Sequence, residues 1–332
     1  MRIAIFAFMA LPKYSIIVPV YNRPQELDDL LQSLTKQTFH DFEVLIIEDG
    51  SAITSEKVFE KYEAQLSVRY FFKPNSGPGP SRNFGFEKAA GKYFIVFDSD
   101  CQIPTHYLAS VETQLSIEKI DAWGGPDRGH ENFTPLQQAM ACTMSSVFTT
   151  GGIRGATSKN FQPRSFNMGL SREAFEKTKG FRFDRFAEDI ELSIRMKKLG
   201  LHVWLITEAF VYHQRRATLN EFFKQVSNFG KGRVLVGRAH PGEIKWVHWF
   251  PTLFILGWVA IAPALLIIPF WGKFALLTYL LYLAAIAFDS YKKTKSVWVA
   301  LLSMPSAIIQ LTGYGWGFLK EKTDFVTSQS SA

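Results

Sequence analysis

The chain has 332 residues, 47% of them apolar, which is enough for one large domain with an appendage or for two domains. Two cysteines, Cys101 and Cys142, are too few for a disulfide framework and fit a reducing compartment. The net charge of +7 would suit nucleic acid, but the lysines and arginines are dispersed and partly gathered beside apolar segments. Anionic lipid headgroups therefore account for the excess better, and no nucleic-acid partner is expected.

The start, MRIAIFAFMALPKY, is apolar for about ten residues, which is short for a signal-peptide core, and no small-residue cleavage site follows. An extra strand or a mis-set start codon is the expected reading. Tyr14–Val20 is a continuous β-branched run, as in a strand buried on both faces. A polar turn, YNRP, leads into a helix in which Leu27, Leu30, Leu31 and Leu34 recur at helical spacing. Phe42–Ile47 reads as a second strand ending in EDGS, then come a weaker helix over Glu56–Leu66 and a third strand near Val68–Phe72. The loop KPNSGPGPSRN precedes a helix expected around Phe84–Ala90, and Lys92–Phe97 is the next strand. This alternation predicts an α/β fold with a mostly parallel sheet and helices on both faces.

In such a sheet, ligands bind beyond the carboxyl ends of the strands. Three strands here end in polar residues: Tyr21-Asn22, Glu48-Asp49 and Asp98-Ser99-Asp100. Strand alternation would put Asp98 and Asp100 on one face, where two carboxylates repel unless a cation neutralises them. Mg²⁺ or Mn²⁺ suits such hard oxygen ligands, and it would bring phosphates with it. The plain alternative is that these aspartates cap the helix after Pro104. Arg82, opening a helix close by, could pair with the aspartates or with a phosphate. The glycine-rich loop before it has neither Walker nor dinucleotide-binding spacing.

Farther on, Glu188 and Asp189 open an amphipathic helix carrying Ile190, Leu192, Ile194, Met196 and Leu199. The helix dipole alone favours acids there, and a general base beside the pocket is the functional alternative. His213 ends a strand-like run, as a structural histidine or as a metal or phosphate contact.

After about Lys245 the composition changes. Val247–Phe270, Phe274–Phe288 and Val297–Leu319 are apolar runs long or nearly long enough to cross a bilayer, the last containing Pro305 and ending in GYGWG. Trp246, Trp249 and Trp271 bracket the first run as interfacial residues do. Lys231, Arg233, Arg238 and Lys245 precede it, and Lys292, Lys293 and Lys295 follow the second. The positive-inside tendency then makes runs one and two a hairpin with both flanks in the cytoplasm. The third run either crosses again or lies partly in the interface. The expected organisation is a catalytic domain over 1–240, a membrane domain of two to three helices over 241–320, and a polar tail over 321–332. The expected location is the inner (cytoplasmic) membrane, multi-pass, with membrane lipid as a partner.

Taken in order, SIIVPVYNRP, EDGS, NSGPGPSRN, DSD, NMGLSREAFEKTKGF and AEDIELSIRMKKLG resemble the family-2 glycosyltransferases, over roughly residues 14–235. The resemblance implies a GT-A fold, Rossmann-like, that binds a nucleotide-sugar, UDP-linked by expectation, and transfers the sugar with inversion. By position it implies that Pro19, Tyr21 and Asp49 line the nucleoside pocket, with Asp49 on the base, and that Arg82 holds nucleotide or phosphate. Asp98 and Asp100 match the pair that carries Mg²⁺ or Mn²⁺ on the diphosphate, with His213 as a further candidate ligand. Asp189 matches the general base, while Asn167, Met168, Gly169 and Glu188 fall on the sugar and acceptor side. Cys101, a soft thiol, is expected to point away from the metal. EDGS replaces the usual DDGS, and the Q-x-x-R-W signature of processive synthases is missing, its nearest counterpart being Gln225–Arg233. Single-sugar transfer to a glycan or lipid-linked acceptor is therefore expected, in cell-envelope or exopolysaccharide synthesis. Transfer to a polyprenyl phosphate and an inactive nucleotide-sugar-binding scaffold are the alternatives.

Overall fold

The structure, a computed structural model, describes residues 11–128, 133–150, 161–213 and 216–330. The apolar start over residues 1–10 lies outside them. In chain order the elements are β1 (Tyr14–Val20), α1 (Pro24–Leu34), β2 (Phe42–Asp49), α2 (Glu56–Tyr62), β3 (Val68–Lys73), α3 (Pro78–Lys88) and β4 (Tyr93–Phe97). Then come β5 (Cys101–Gln102), α4 (Tyr107–Ile117), β6 (Ala122–Gly124), β7 (Asp127–Arg128), α5 (Pro135–Ser145) and α6 (Val147–Thr150). They are followed by β8 (Asn167–Ser171), α7 (Arg172–Thr178), α8 (Glu188–Lys198), β9 (Val203–Leu205), β10 (Val211–His213) and α9 (Leu219–Ala239). A 3-10 turn, Trp246–Trp249, leads to α10 (Phe250–Ile267), α11 (Pro269–Thr294) and α12 (Val297–Ser330).

The chain forms two compact units, Met1–Arg128 with Ser158–His213, and Gly129–Thr157 with Gln214–Ala332. The division differs from a single boundary near residue 240. Helices α5 and α9 belong with the C-terminal helices, because α12 packs along both.

The first unit is built on a seven-stranded sheet of order β3-β2-β1-β4-β8-β6-β9. Strands β3, β2, β1 and β4 run parallel, β8 is antiparallel to β4 and β6, and β9 is parallel to β6. Period-two alternation supplies both faces of the core. Ile16, Val18, Val44, Ile46, Ile95 and Phe97 pack against α1 and α4, while Ile17, Leu45, Ile47, Phe94 and Val96 pack against α3, α7 and α8. A small second sheet, β5-β10-β7, sets His213 opposite Cys101.

The second unit is helical. Helix α12 continues through Pro305, and its GYGWG segment lets other helices approach closely. A Cβ on Gly317 would lie 2.0 Å from the Ser227 carbonyl of α9, and one on Gly315 would lie 2.8 Å from the Pro251 carbonyl of α10. Among the described residues, three helices are long and apolar enough to cross a membrane: Trp246–Ile267, Pro269–Thr294 and Val297–Asp324.

Candidate functional site

The chemistry-bearing residues of the first unit gather where β1, β2 and β4 end and α3 and α8 begin. After β1, Asn22 takes a positive φ of 54°, and its Oδ1 accepts from Ala52 N at 2.8 Å and Ile53 N at 3.1 Å. That ties the first strand end to the EDGS turn. Pro19 sits within β1 beside Ile47, and the Tyr21 ring just beyond is 53% exposed, open to a planar ligand. Glu48 is fully enclosed, accepting from Ser55 N at 2.8 Å, from Tyr70 Oη at 3.2 Å and from Ser51.

Asp49 turns to the glycine-rich loop. Its Oδ1 accepts from Ser76 N at 2.9 Å and from Lys73, and its Oδ2 accepts from Gly77 N at 2.9 Å. Burial would raise the pKa of this carboxyl, but the Lys73 ammonium and the two backbone N–H groups hold it below the usual range. In this arrangement Asp49 anchors a loop, and base contact, the role implied for it, would need a further approach to an oxygen already engaged.

The loop itself enters α3 earlier than expected, at Pro78 and not near Phe84. Gly77 caps the helix with φ +97°, Pro78 occupies its first turn, and Gly79 N donates to Asp184 O at 2.9 Å. Gly79 has no room for a side chain, since a Cβ would lie 2.1 Å from the Phe183 carbonyl.

Early entry into α3 carries Arg82 inward. It is 2% exposed, donating from Nη2 to Asp98 Oδ1 at 2.7 Å and from Nη1 to Glu188 Oε1 at 2.8 Å. Ser165 Oγ adds a donor to the same Glu188 oxygen at 3.2 Å. Burial raises the Glu188 carboxyl above its ordinary range, reinforced by Asp189 and opposed by Arg82. Asp189 stands in the first turn of α8, its Oδ1 accepting from Ile190 N at 2.7 Å and its Oδ2 3.6 Å from Arg164 Nη1.

Asp98 and Asp100 lie beyond the strand. Strand β4 ends at Phe97, and a turn closed by Cys101 N donating to Asp98 O at 3.1 Å replaces strand alternation. Neither aspartate caps α4, which starts at Tyr107 without a side-chain cap. Asp100 instead accepts from Arg23 Nη1 at 2.6 Å and lies 3.1 Å from His213 Nε2. The His213 imidazole and the Arg23 guanidinium outweigh burial and hold the Asp100 carboxyl far below the usual range. The pairing of β10 with β5 is what delivers His213, and its ring stacks on Phe166 at 4.7 Å.

Asp100, Cys101 and His213 offer ligand atoms all within 4.8 Å of one another, and Asp98 is not in that group. Cys101 was expected to turn away. Its Sγ is close by, but it lies 3.6 Å from Phe166 O, and burial raises its thiol pKa well above the ordinary value, so it stays neutral. Asp100 Oδ1 is buried and meets no aligned hydrogen-bond donor, although His213 Nε2 is beside it. A buried carboxylate oxygen and an imidazole placed this way fit a divalent cation of the Mn²⁺ or Mg²⁺ class.

Asn167, Met168 and Gly169 are interior strand residues, not lining groups. Met168 is fully buried in the core, and Gly169 gives its space to the Trp123 ring, 1.9 Å from where a Cβ would stand. Asn167 bridges Tyr107 Oη at 2.6 Å and Ala209 O at 2.8 Å. Sequence reasoning missed Arg23, Lys73, Arg164 and Ser165. Arg23 stood inside YNRP, but nothing local announces a partner as distant as Asp100.

The profile of Glycosyl transferase family 2 matches residues 15–179. A glycosyltransferase of Rickettsia felis is 39% identical over 105 residues, 32% of this chain and 17% of its own length. EpsJ of Bacillus subtilis, an uncharacterized glycosyltransferase, is 25% identical over 222 residues, 64% of each chain. The chain thus spans less than a fifth of the Rickettsia relatives' length, and about two thirds of EpsJ's. Among solved structures, the mannosyltransferase PcManGT of Pyrobaculum calidifontis, in complex with GDP-Man and Mn²⁺, superposes with a TM-score of 0.65 at 16% identity, covering 92% of this chain and 88% of its own. That likeness shows the fold, and the profile match runs from β1 through the end of α7. The chain belongs to glycosyl transferase family 2 and has its α/β GT-A fold.

Proposed function

We propose that the chain is an inverting, non-processive glycosyltransferase, moving one sugar from a UDP-linked donor to a hydroxyl of a glycan or lipid-linked acceptor in cell-envelope or exopolysaccharide synthesis. The observation that carries this reading is the row of paired charges at the strand ends: Arg23 with Asp100, and Arg82 between Asp98 and Glu188. The pairing is matched to an incoming cation and diphosphate, since carboxylates can take the one while arginines take the other. The open Tyr21 ring suits a nucleoside face, with Pro19 and Asp49 behind it.

Asp98, Asp100 and His213 would hold the cation, which as a Lewis acid offsets charge on the leaving diphosphate. Asp189 accepts the acceptor's proton as the acceptor oxygen bonds to the anomeric carbon and the bond from that carbon to phosphate breaks. One displacement gives inversion and releases the nucleoside diphosphate. Support for a metal comes from PcManGT, which holds GDP-Man and Mn²⁺. Support for an envelope acceptor comes from the poly(ribitol-phosphate) beta-N-acetylglucosaminyltransferase TarS of Staphylococcus aureus, 38% identical over 92 residues.

The three apolar helices also favour a second reading, a polyprenyl-phosphate acceptor at the inner membrane, with the catalytic unit facing the cytoplasm. The experiment is transfer from a panel of nucleotide-sugars, with Mn²⁺, into membrane lipid extract, comparing wild type with Asp189→Asn. The proposal expects an inverted product from wild type and none from the variant. A product with its sugar on a terminal phosphate would select the second reading. A chain that binds donor but never turns it over would be a binding scaffold.

A further inference from the structure

We infer that, of the three candidate spans, the α10–α11 hairpin enters the bilayer and α12 does not, staying on the side from which α10 sets out and bringing the C-terminal residues back to that side. By length and composition all three helices qualify as spans, so what covers each one decides.

The hairpin is antiparallel about Ile268. Phe250 faces Tyr282 at 6.2 Å, Phe254 faces Tyr279 at 5.1 Å, and a Cβ on Gly272 would lie 2.5 Å from Leu265 N. The 18 residues of α10 therefore set its depth, roughly 27 Å at 1.5 Å per residue. That is close to the ~30 Å hydrocarbon thickness. Its surface is bare and apolar, with Val259 69%, Leu266 84% and Phe270 73% exposed, and lipid hydrocarbon is the occupant that fits such a face.

Tyr282 lies level with the start of α10, and α11 runs on from there to Thr294. That extension is apolar through Phe288 and polar at its end, where Asp289 Oδ2 accepts from Ser146 Oγ and from Lys293 Nζ, both at 2.8 Å. Helix α12 begins at this far end, where Val299 packs on Ala139 and Cys142 of α5. It then returns only as far as the first turns of α10. Phe318 meets Trp249 at 5.1 Å, Lys322 Nζ lies 4.2 Å from the same ring, and Arg238 Nη1 holds Glu321 Oε1 at 2.7 Å. Val299 near one end of α12 and Phe318–Lys322 toward the other are thus held on one side of the hairpin.

The helix is also covered by protein to a greater extent than α10 or α11. Of its apolar window 44% is buried, against 22% and 17% for the windows of the other two candidates. Ser303, Ser306 and Gln310 are buried in its middle, as in the core of a helical domain and not on a lipid face. Its apolar composition is that of a central helix with α5, α9, α10 and α11 around it.

Two crossings and three put the end of α12 on opposite sides, which makes the inference testable. Glu243→Cys and Lys320→Cys are each reacted with a membrane-impermeant maleimide in right-side-out and in inverted vesicles. The native cysteines are both buried, so the unaltered chain gives the background. Both variants are expected to label in the same vesicle orientation and to be protected in the other. Labelling in opposite orientations overturns the inference, and so does release of the chain from membranes by alkaline carbonate. A protease-cleavable tag after Ala332, probed in the same vesicles, gives the same decision without altering the helix.

Discussion

Arg82 and Glu188 are 106 residues apart in the chain and 2.8 Å apart in space, and the same guanidinium reaches Asp98 at 2.7 Å. One buried cation therefore joins the end of β4 to the start of α8. It thereby fixes the end of β4 to the helix turn that carries Asp189.

Removing that cation leaves two carboxylates facing one another without a counter-charge. Arg82→Met is expected to destabilise the chain by about 3–5 kcal/mol, the usual cost of breaking a buried pair. Glu188→Gln is expected to cost clearly less, because burial already pushes the Glu188 carboxyl toward its neutral form. Chemical denaturation of the two variants in one detergent gives the comparison. Equal losses would mean that Glu188 is held ionised as firmly as Arg82.

Asp49 makes stability depend on acid. Its folded-state pKa lies below the unfolded value of about 3.9, so its contribution is complete above that pH and lost as pH falls through the folded value. Asp49→Asn is expected to cost about 1–3 kcal/mol near neutral pH, since it weakens charge-assisted bonds to Lys73, Ser76 and Gly77. The gap between variant and wild type should hold above about pH 4 and narrow as pH falls below it. Urea midpoints across that range measure it, and a constant gap would show that the charge contributes nothing.

The small residues of α12 set how closely α9 can lie. A Cβ on Gly317 would sit 2.0 Å from Ser227 O, and one on Gly230 would sit 2.1 Å from Tyr314 O. Both obstacles are backbone, so neither moves aside by a rotamer change. Gly317→Leu and Gly230→Leu are each expected to lose about 1–3 kcal/mol or more, the range for overpacking. Thermal unfolding in detergent checks this, and unchanged midpoints would place α9 away from α12.

Much of the first unit was legible because periodicity is a local signal. Tyr14–Val20 and Pro24–Leu34 are where the apolar pattern put them, and β2 through β4 match within a residue or two. Strand alternation does not reach Asp98 and Asp100, because it holds only while a strand lasts and β4 stops one residue earlier. Met168 and Gly169 misled for a different reason: a family motif marks residues a fold needs as well as those a ligand touches. Arg23 was invisible because its partner comes 77 residues later, and only the sheet brings them together. The three apolar runs were plain, but composition alone could not separate a helix facing lipid from one buried among helices.

Arg23 donates to Asp100 at 2.6 Å, so the cation proposed for Asp100 would have to compete with a guanidinium. The pair is partly screened, its arginine side chain 35% exposed, and its worth is at most about 1 kcal/mol. Arg23→Ala should therefore bind Mn²⁺ more tightly than wild type when no nucleotide is present, by up to about five-fold on that figure. With Mn²⁺ saturating, the same variant should bind a nucleoside diphosphate more weakly, because the displaced guanidinium is the group available to the phosphates. Free Mn²⁺ followed by electron paramagnetic resonance reads the first effect, and calorimetric titration with UDP reads the second. Asp100→Asn is the control and should lose the metal in both. Opposite movements in the two titrations are what competition requires, and a variant that weakens both would make Arg23 a scaffold for the Asp100 turn.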